Sequence, residues 1–405
     1  MNHSTHASPI ILCLAHLAWD YVWQRPQHIL SRLSAHYPVY YVNEPFVEDV
    51  PSPRLRVVSR TPNLGAYQPQ FSAGRPEVLE NWQNVYVDCV TQLLAEEAII
   101  SQNGHLRAER PLILWFYTPV PDYFIERLPA SLVVYDVMDE LAHFNGAAPD
   151  MKQREARLMA RADVVFAGGR SLYEARRGAH PNLHLFPSGV DVDAFRIDET
   201  TPVAPEIAHL SGPVMGYYGV IDERLDLDLI DQLATSHPEW SIVMVGPVCK
   251  IDPATLPQRP NILYTGQQPY EKLPAFLKRF DVCLMPFAIN EATRFISPTK
   301  TLEYMAAGKP IVSTPVHDVV LTWSDVVSIA ATPEAFAAAV AAALDETPRA
   351  RAARNSRAAA HLHHRHWDTI AQQMRGHIDN ALRQRHTAAT RPAPRRQLDG
   401  WAGPA

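Results

Sequence analysis

The sequence predicts an α/β protein made of two doubly wound parallel sheets, and three observations carry that expectation. Short apolar runs alternate with longer segments of helical period, which is the pattern of βαβ units. The runs fall into two sets of roughly six, as two doubly wound sheets require. Between the sets lies FPSGVDVDAFRIDETTPVAPE, where apolar periodicity fails and Thr200, Thr201, Pro202 and Pro205 cluster, so a domain boundary is expected within about 190–212. A length of 405 residues, too great for one ordinary core, agrees with two domains.

Taken in order, the first set of strand candidates is Ile10–Ala15, Val39–Asn43, Val85–Val87, Ile113–Tyr117, Leu132–Asp136 and Val164–Ala167. The second is Val214–Val220, Ser241–Val245, Ile262–Thr265, Val282–Pro286, Ile311–Ser313 and Val327–Ile329. An alanine-rich helix is expected over Pro333–Asp345 and another from about His366 to Leu382. From 384 to 405 the chain has no periodicity and is rich in Arg, Pro and Ala, the composition of a disordered tail.

A formal charge of −6 supplies no global attraction to phosphate polymers and argues against a nucleic-acid binder, so any anion site must be local. Most basic residues are Arg; the lysines are Lys152, Lys250, Lys272, Lys278, Lys300 and Lys309. Cys13, Cys89, Cys249 and Cys283 are scattered in apolar stretches without paired spacing, as free thiols in a reducing compartment would be. The run Ile10–Ala15 is too short for a signal core or membrane span, and a cytoplasmic chain is expected. No P-loop, G-x-G-x-x-G, G-x-S-x-G or H-E-x-x-H pattern is present.

The most informative segment runs from Asn290 to Pro310. Ser297-Pro298 reads as N-cap and first helical residue, and Gly308 as the left-handed stop, giving a helix over Pro298–Ala307. Lys300 stands where a capping box would place Glu or Gln, and a cation in the first turn opposes the helix dipole by about 0.3–1 kcal/mol. That cost is explained if Lys300 and the amides of Thr299 to Thr301 face a phosphate together. Glu303, one turn on, is then placed to accept hydrogen bonds from vicinal hydroxyls such as those of a ribose. The competing reading is an i, i+3 pair between Lys300 and Glu303, worth about 0.2–0.5 kcal/mol.

At this point a resemblance enters. SPTKTLEYMAAGKPIVSTPV, preceded by TGQQPYEKLPAFLKRFDVCLMPF, resembles the nucleotide-sugar half of GT-B glycosyltransferases, especially the retaining group called family 4. PSGVDVDAF is similar to that group's interdomain junction, and GVIDERLDLDLI to its first donor-domain loop and helix. WDYVWQRPQHILSRLSAHYPVYYVNEP resembles a subset acting on bacterial cell-surface polysaccharides, including the teichuronic-acid type. The likeness covers nearly all of residues 10–375.

The resemblance implies two Rossmann-like domains facing across a cleft. Residues 1–195 would bind the acceptor and 196–365 the nucleotide diphosphate sugar; 366–383 would form a helix returning to the first domain. It implies transfer with retention to a saccharide or lipid-linked acceptor, and neither metal nor cofactor beyond the donor. Glu303 matches the second Glu of the family's E-x7-E pair, at the donor ribose; Phe295 stands where the first Glu would be. Arg224, shortly after Gly219, matches in location a basic residue directed at the donor diphosphate. Its usual second basic partner has no counterpart, and Lys300 is the substitute.

On the acceptor side, His16, Trp19 and Arg25 follow the first strand, with Trp23 between them. The tryptophans suit stacking on a sugar and Arg25 suits a phosphate, whereas Arg25-Pro26 equally suits the start of a helix. Asp136 ends a strand at the ligand edge of an open sheet and is the acidic candidate for acceptor orientation or charge stabilisation; helix capping by Asp136 or Asp139 is the alternative. Asp136, Lys300 and Arg224 are therefore the catalytic candidates.

Asp191-Val192-Asp193 has the D-x-D form of a metal site but reads as a junction turn, and His361, His363, His364 and His366 read as exposed histidines. Arg383, Arg385, Arg391, Arg395 and Arg396 allow peripheral contact with an anionic membrane. Two further classes stay open: a nucleotide-sugar epimerase on the same architecture, and a non-catalytic sugar-binding subunit of a polysaccharide assembly complex.

Overall fold

The computed structural model describes residues 8–72, 74, 78, 80–101, 105, 106 and 110–390. The first lobe is built on β1 (Ile10–Ala15), β2 (Val39–Asn43), β3 (Phe46–Glu48), β4 (Arg54–Thr61), β5 (Leu64–Ser72), β6 (Leu112–Phe116), β7 (Leu132–Val137), β8 (Val164–Ala167) and β9 (Leu183–Leu185). Their order is β3-β5-β2-β1-β6-β7-β8-β9, all parallel, with β4 antiparallel on β5. The second lobe holds β10 (Val214–Tyr218), β11 (Ser241–Val245), β12 (Ile262–Gly266), β13 (Val282–Met285), β14 (Ile311–Ser313) and β15 (Ser328–Ile329), in parallel order β12-β11-β10-β13-β14-β15. The chain order reverses between β1 and β6 in one sheet and between β10 and β13 in the other. Ligands bind outside the carboxyl ends of strands at such switch points. The loops after β1 and β10 therefore face the functional crevice.

Each strand next to a switch point is wholly buried, as expected where helices cover both faces of a parallel sheet. Two sequence expectations fail in the first lobe. Val85–Val87 lies not in a strand but in the helix Trp82–Glu96, where Tyr86, Val87, Val90, Leu93 and Leu94 form one buried face. A short apolar run cannot by itself separate the two periods. The hairpin of β4 and β5 escaped the expected strand set because β4 exposes Arg54, Arg56 and Arg60 and so has little apolar signal; the whole burden of burial falls on β5.

The chain crosses between the lobes twice. Phe186 belongs to the first core and Val190 to the second, so the first crossing comes several residues before the expected boundary at 195. The return crossing runs beside it: the Val190 amide donates to the Arg365 carbonyl at 2.7 Å. Gly189 lies so close that a Cβ there would sit 2.7 Å from the same carbonyl.

The helix Trp367–Thr390 then packs on the first lobe, burying Trp367, Ile370, Met374 and Ile378 in its core. It continues past 384, where a tail was expected. Arg, Gln and Ala are good helix formers, no Gly or Pro intervenes before 391, and Arg385 Nε bonds Asp163 at 2.8 Å. Residues 391–405, including Arg391, Arg395 and Arg396, lie outside the described residues. Trp367 is fully buried and stacked on His28, with ring centroids 4.7 Å apart. Trp367→Ala should lower the unfolding free energy by about 3–5 kcal/mol in urea titrations.

Candidate active site

The floor of the crevice in the second lobe depends on two glycines. Gly219, directly after β10, has φ +136°, and a Cβ there would lie 3.0 Å from Lys300 Cε. Gly246, directly after β11, has φ +147°, and its Cβ would meet the Gly219 carbonyl at 2.0 Å. Both side chains must be absent for the two strand ends to abut and for Lys300 to pass over them.

Lys300 Nζ rests 5.1 Å from the Phe287 ring centroid and 5.3 Å from that of Tyr217. Among the described residues it has no hydrogen bond or ion pair, so the i, i+3 pair with Glu303 does not form. Burial, and then the nearby Arg224 guanidinium, pull its pKa down to about 8. A cation held on two ring faces without a carboxylate is prepared for an incoming anion.

The helix beneath it is shorter than expected. It spans Lys300–Ala306, with Thr299 rather than Ser297 as the cap residue and no side-chain cap bond. The Thr301 amide donates to Pro298 O at 3.1 Å and Thr301 is wholly buried, which removes it from the amides expected to face a phosphate. What this floor offers an anion is therefore side-chain charge more than a helix terminus. Gly308 does end the helix in the left-handed region, at φ +67°.

Glu303 is 4% exposed and accepts hydrogen bonds from Tyr218 Oη at 2.7 Å and Tyr270 Oη at 3.3 Å. Burial raises its pKa to about 7 against the opposing hydrogen bond from Tyr218. Arg224 is held by Asp222, Nε and Nη2 at 3.0 and 2.6 Å, and its guanidinium lies 5.5 Å from the ring centroid of Phe144 in the opposite lobe. Gly219, Arg224, Thr299, Lys300 and Glu303 all line one cavity of about 830 Å³ between the lobes. That volume lies within the usual range for small-molecule sites.

The acceptor-side candidates separate. Arg25 and Asp136 meet each other: Arg25 Nε lies 3.0 Å from both carboxylate oxygens, Nη1 donates to Phe186 O at 2.7 Å, and the residues are 2% and 0% exposed. This geometry corrects the expectation of Arg25 on a phosphate and Asp136 on a substrate, because each neutralises the other. Trp19 is tucked edge-on against Tyr41 at 4.9 Å, although its rim reaches the cavity. Trp23 is the more exposed, at 38%, and stacks across the crevice on Tyr270 with centroids 6.2 Å apart. His16 lines a second, smaller cavity; burial, then Lys250, lower its pKa to about 4 and keep it neutral.

Several site residues went unrecognised in the sequence. Tyr218 and Gly246 stand at strand ends, where position gives a signal, whereas Tyr270, opening a short 3-10 helix, and Phe144 and Lys250, from loops, are brought near only by the fold. Phe295 packs across the lobes against His143, centroids 5.7 Å apart. In the D-x-D phrase, Asp191 pairs with Arg32 and Asp193 with Arg196. His361 pairs with Asp325.

Breaking a buried ion pair leaves an uncompensated charge. Asp136→Ala should cost about 3–5 kcal/mol of unfolding free energy in urea, and a loss below about 1 kcal/mol would return Asp136 to the groups free for chemistry.

Comparison with known proteins bears on the same region. Residues 214–346 match the family model described as glycosyl transferases group 1. A Bacillus subtilis (strain 168) protein named as a teichuronic acid biosynthesis glycosyltransferase, TuaH, is 26% identical over 171 residues, 40% of this chain and 43% of its own length. The chain thus aligns with less than half of that relative. Among solved structures, sucrose-phosphate synthase from Thermosynechococcus elongatus superposes with a TM-score of 0.68 at 16% identity, over 94% of this chain and 100% of that one. Anabaena HepE in complex with UDP gives 0.61 at 14% identity, over 92% and 100%. The chain therefore has the GT-B fold, and residues 214–346 of its second lobe match the group 1 glycosyl transferase model.

Proposed function

We propose that this protein transfers a sugar from a nucleotide diphosphate sugar to a saccharide or lipid-linked acceptor in the synthesis of a bacterial surface polysaccharide. The observation that carries the proposal is Lys300 Nζ, unpaired on the floor of the inter-lobe crevice, with Glu303 one helical turn away. The diphosphate would lie against Lys300 and Arg224, and the ribose hydroxyls against Glu303. As the bond between the sugar and the diphosphate breaks, negative charge grows where the two cations are aimed, and fixed cations so placed stabilise it without a metal. Likeness to TuaH over part of the chain supports the polysaccharide assignment.

Retention is the proposed stereochemical course, to be read from the anomer first formed by proton NMR. Action at the cytoplasmic face of the membrane, by peripheral contact, is compatible with the described residues, among which no helix is long and apolar enough to cross a bilayer.

A thermal-shift and calorimetric panel of UDP, GDP, dTDP and ADP compounds tests the donor site. One nucleotide should stabilise the protein, and Lys300→Ala should weaken its binding about 10–100-fold, the range of a hydrogen bond to a charged group. Equal affinity in wild type and variant would remove Lys300 from the site. With a pKa near 8, Lys300 is cationic below that pH and neutral above it, so affinity should fall with rising pH above about 8. Lys300→Ala should lack that limb. Glu303→Ala should weaken nucleotide binding and keep the limb but move it to lower pH, because the Glu303 carboxylate holds the Lys300 pKa up.

A further inference from the structure

Beside the large cavity lies a smaller one of about 290 Å³, lined by His16, Glu44, Thr118, Asp139, Phe144 and Lys250 among others. The two cavities share Tyr21, Gln24, Asp139, Val220 and Arg224, which form a seam between them. Three of these side chains are ionisable. Tyr21 Oη is bonded to Cys249 Sγ at 2.9 Å and Arg224 to Asp222, whereas Asp139 has no hydrogen-bond or ion-pair partner among the described residues. In the smaller cavity His16 Nδ1 and Glu223 Oε2 are buried without a partner among the described residues. Unpaired buried polar groups are costly unless a ligand completes them.

The charge balance of the smaller cavity identifies the ligand class. Glu44, Asp139, Asp222 and Glu223 face only two fixed cations, Arg224 and Lys250. Burial raises Glu44 to about 7, against the pull of Lys250, so at neutral pH it is shared between the charged and the neutral form, and Asp222, Glu223 and Asp139 carry the negative charge that Arg224 and Lys250 face. An acidic saccharide would meet excess negative charge, whereas a neutral sugar offers hydroxyl donors to carboxylates that lack them. The volume suits a ring or two of sugar, with the rest of a chain outside.

We propose that the smaller cavity receives a neutral sugar of the acceptor and that Asp139, on the seam, is the catalytic residue that takes the proton of its attacking hydroxyl. The inference rests on the glycosyl-transfer function above. The acceptor oxygen forms its bond to the anomeric carbon of the donor while the bond from that carbon to the diphosphate oxygen breaks. The hydroxyl proton passes to the Asp139 carboxylate, and the electron pair of the broken bond stays on the diphosphate, beside Lys300 and Arg224. Asp139 is also placed to titrate in the working range. Burial raises its pKa to about 6, and it is faced by Arg224 and Asp222 from the loop after β10 and by Lys250 from the loop after β11. His16 and Glu44, from the loops after β1 and β2, line the same cavity.

The test uses the full chain, the nucleotide sugar found by the binding panel, and octyl hexosides and octyl hexuronides as acceptor probes, with nucleotide release and product both measured. Asp139→Asn should lower kcat by about 10²–10⁴-fold, the contribution of a positioned proton acceptor, with no loss of Tm and no weakening of nucleotide binding, since the carboxylate it removes faces Arg224. Wild-type kcat/KM should fall below about pH 6, where Asp139 is protonated, and the variant should lack that limb. Hexosides should be preferred to hexuronides. Asp139→Asn with kcat within threefold of wild type overturns the catalytic role, and preference for hexuronides overturns the neutral-sugar assignment. If only water is used as acceptor, the comparison of kcat still decides the role of Asp139. No turnover of any nucleotide sugar by the wild-type protein overturns glycosyl transfer itself, a failure distinct from one confined to the variant.

Discussion

Everything in the crevice depends on two passages of backbone laid side by side between the lobes. At Gly189 the chain leaves the first lobe so close to the Arg365 carbonyl that no side chain fits, and Val190 bonds that carbonyl. The two crossings set the carboxyl edges of both sheets face to face, which brings the loop after β1 opposite the loop after β10. The helix Trp367–Thr390 secures the second crossing by burying its first turn in the opposite core. Neither lobe alone would hold both a donor and an acceptor.

Further contacts join the lobes on either side of the crevice. Asp318 of the second lobe accepts from the amides of Arg170 and Ser171 and thereby caps a helix of the first. Trp23 stacks on Tyr270, and Phe295 lies against His143. Tyr270 also touches Glu303, so a ribose engaging that carboxylate would press on the same ring that holds Trp23. Hinge closure of the lobes around a ligand is the motion such an arrangement permits.

Charge is distributed unevenly between support and chemistry. Many buried charges are paired: Arg25, at the cavity wall, with Asp136, and away from the crevice Arg176 with Glu140 and Glu155 and Arg354 with Glu346. At its floor, Lys300 and Asp139 have no such partners among the described residues, and burial shifts both pKa values towards neutrality. Unpaired buried charge is tolerated where a ligand can complete it, which is why perturbed groups gather at functional sites.

The sequence alone carries the architecture and the placing of Lys300 and Glu303 on one short helix. Two sets of apolar runs specify two parallel sheets because hydrophobic periodicity is local, and Lys300, Glu303 and Gly308 lie within one short segment whose register follows from helix geometry. It does not carry the state of the carboxylates at the strand ends. Whether a carboxylate at a strand end is free depends on what lies beside it in space: Arg25, 111 positions away, binds Asp136, while nothing comparable reaches Asp139 only three residues further on. For the same reason Val85–Val87 read as a strand and proved to be helix, since a short apolar run is ambiguous until a packing partner resolves it. Tertiary structure decided which charges are paired, because electrostatic partners are chosen by distance in space and sequence separation carries no record of it.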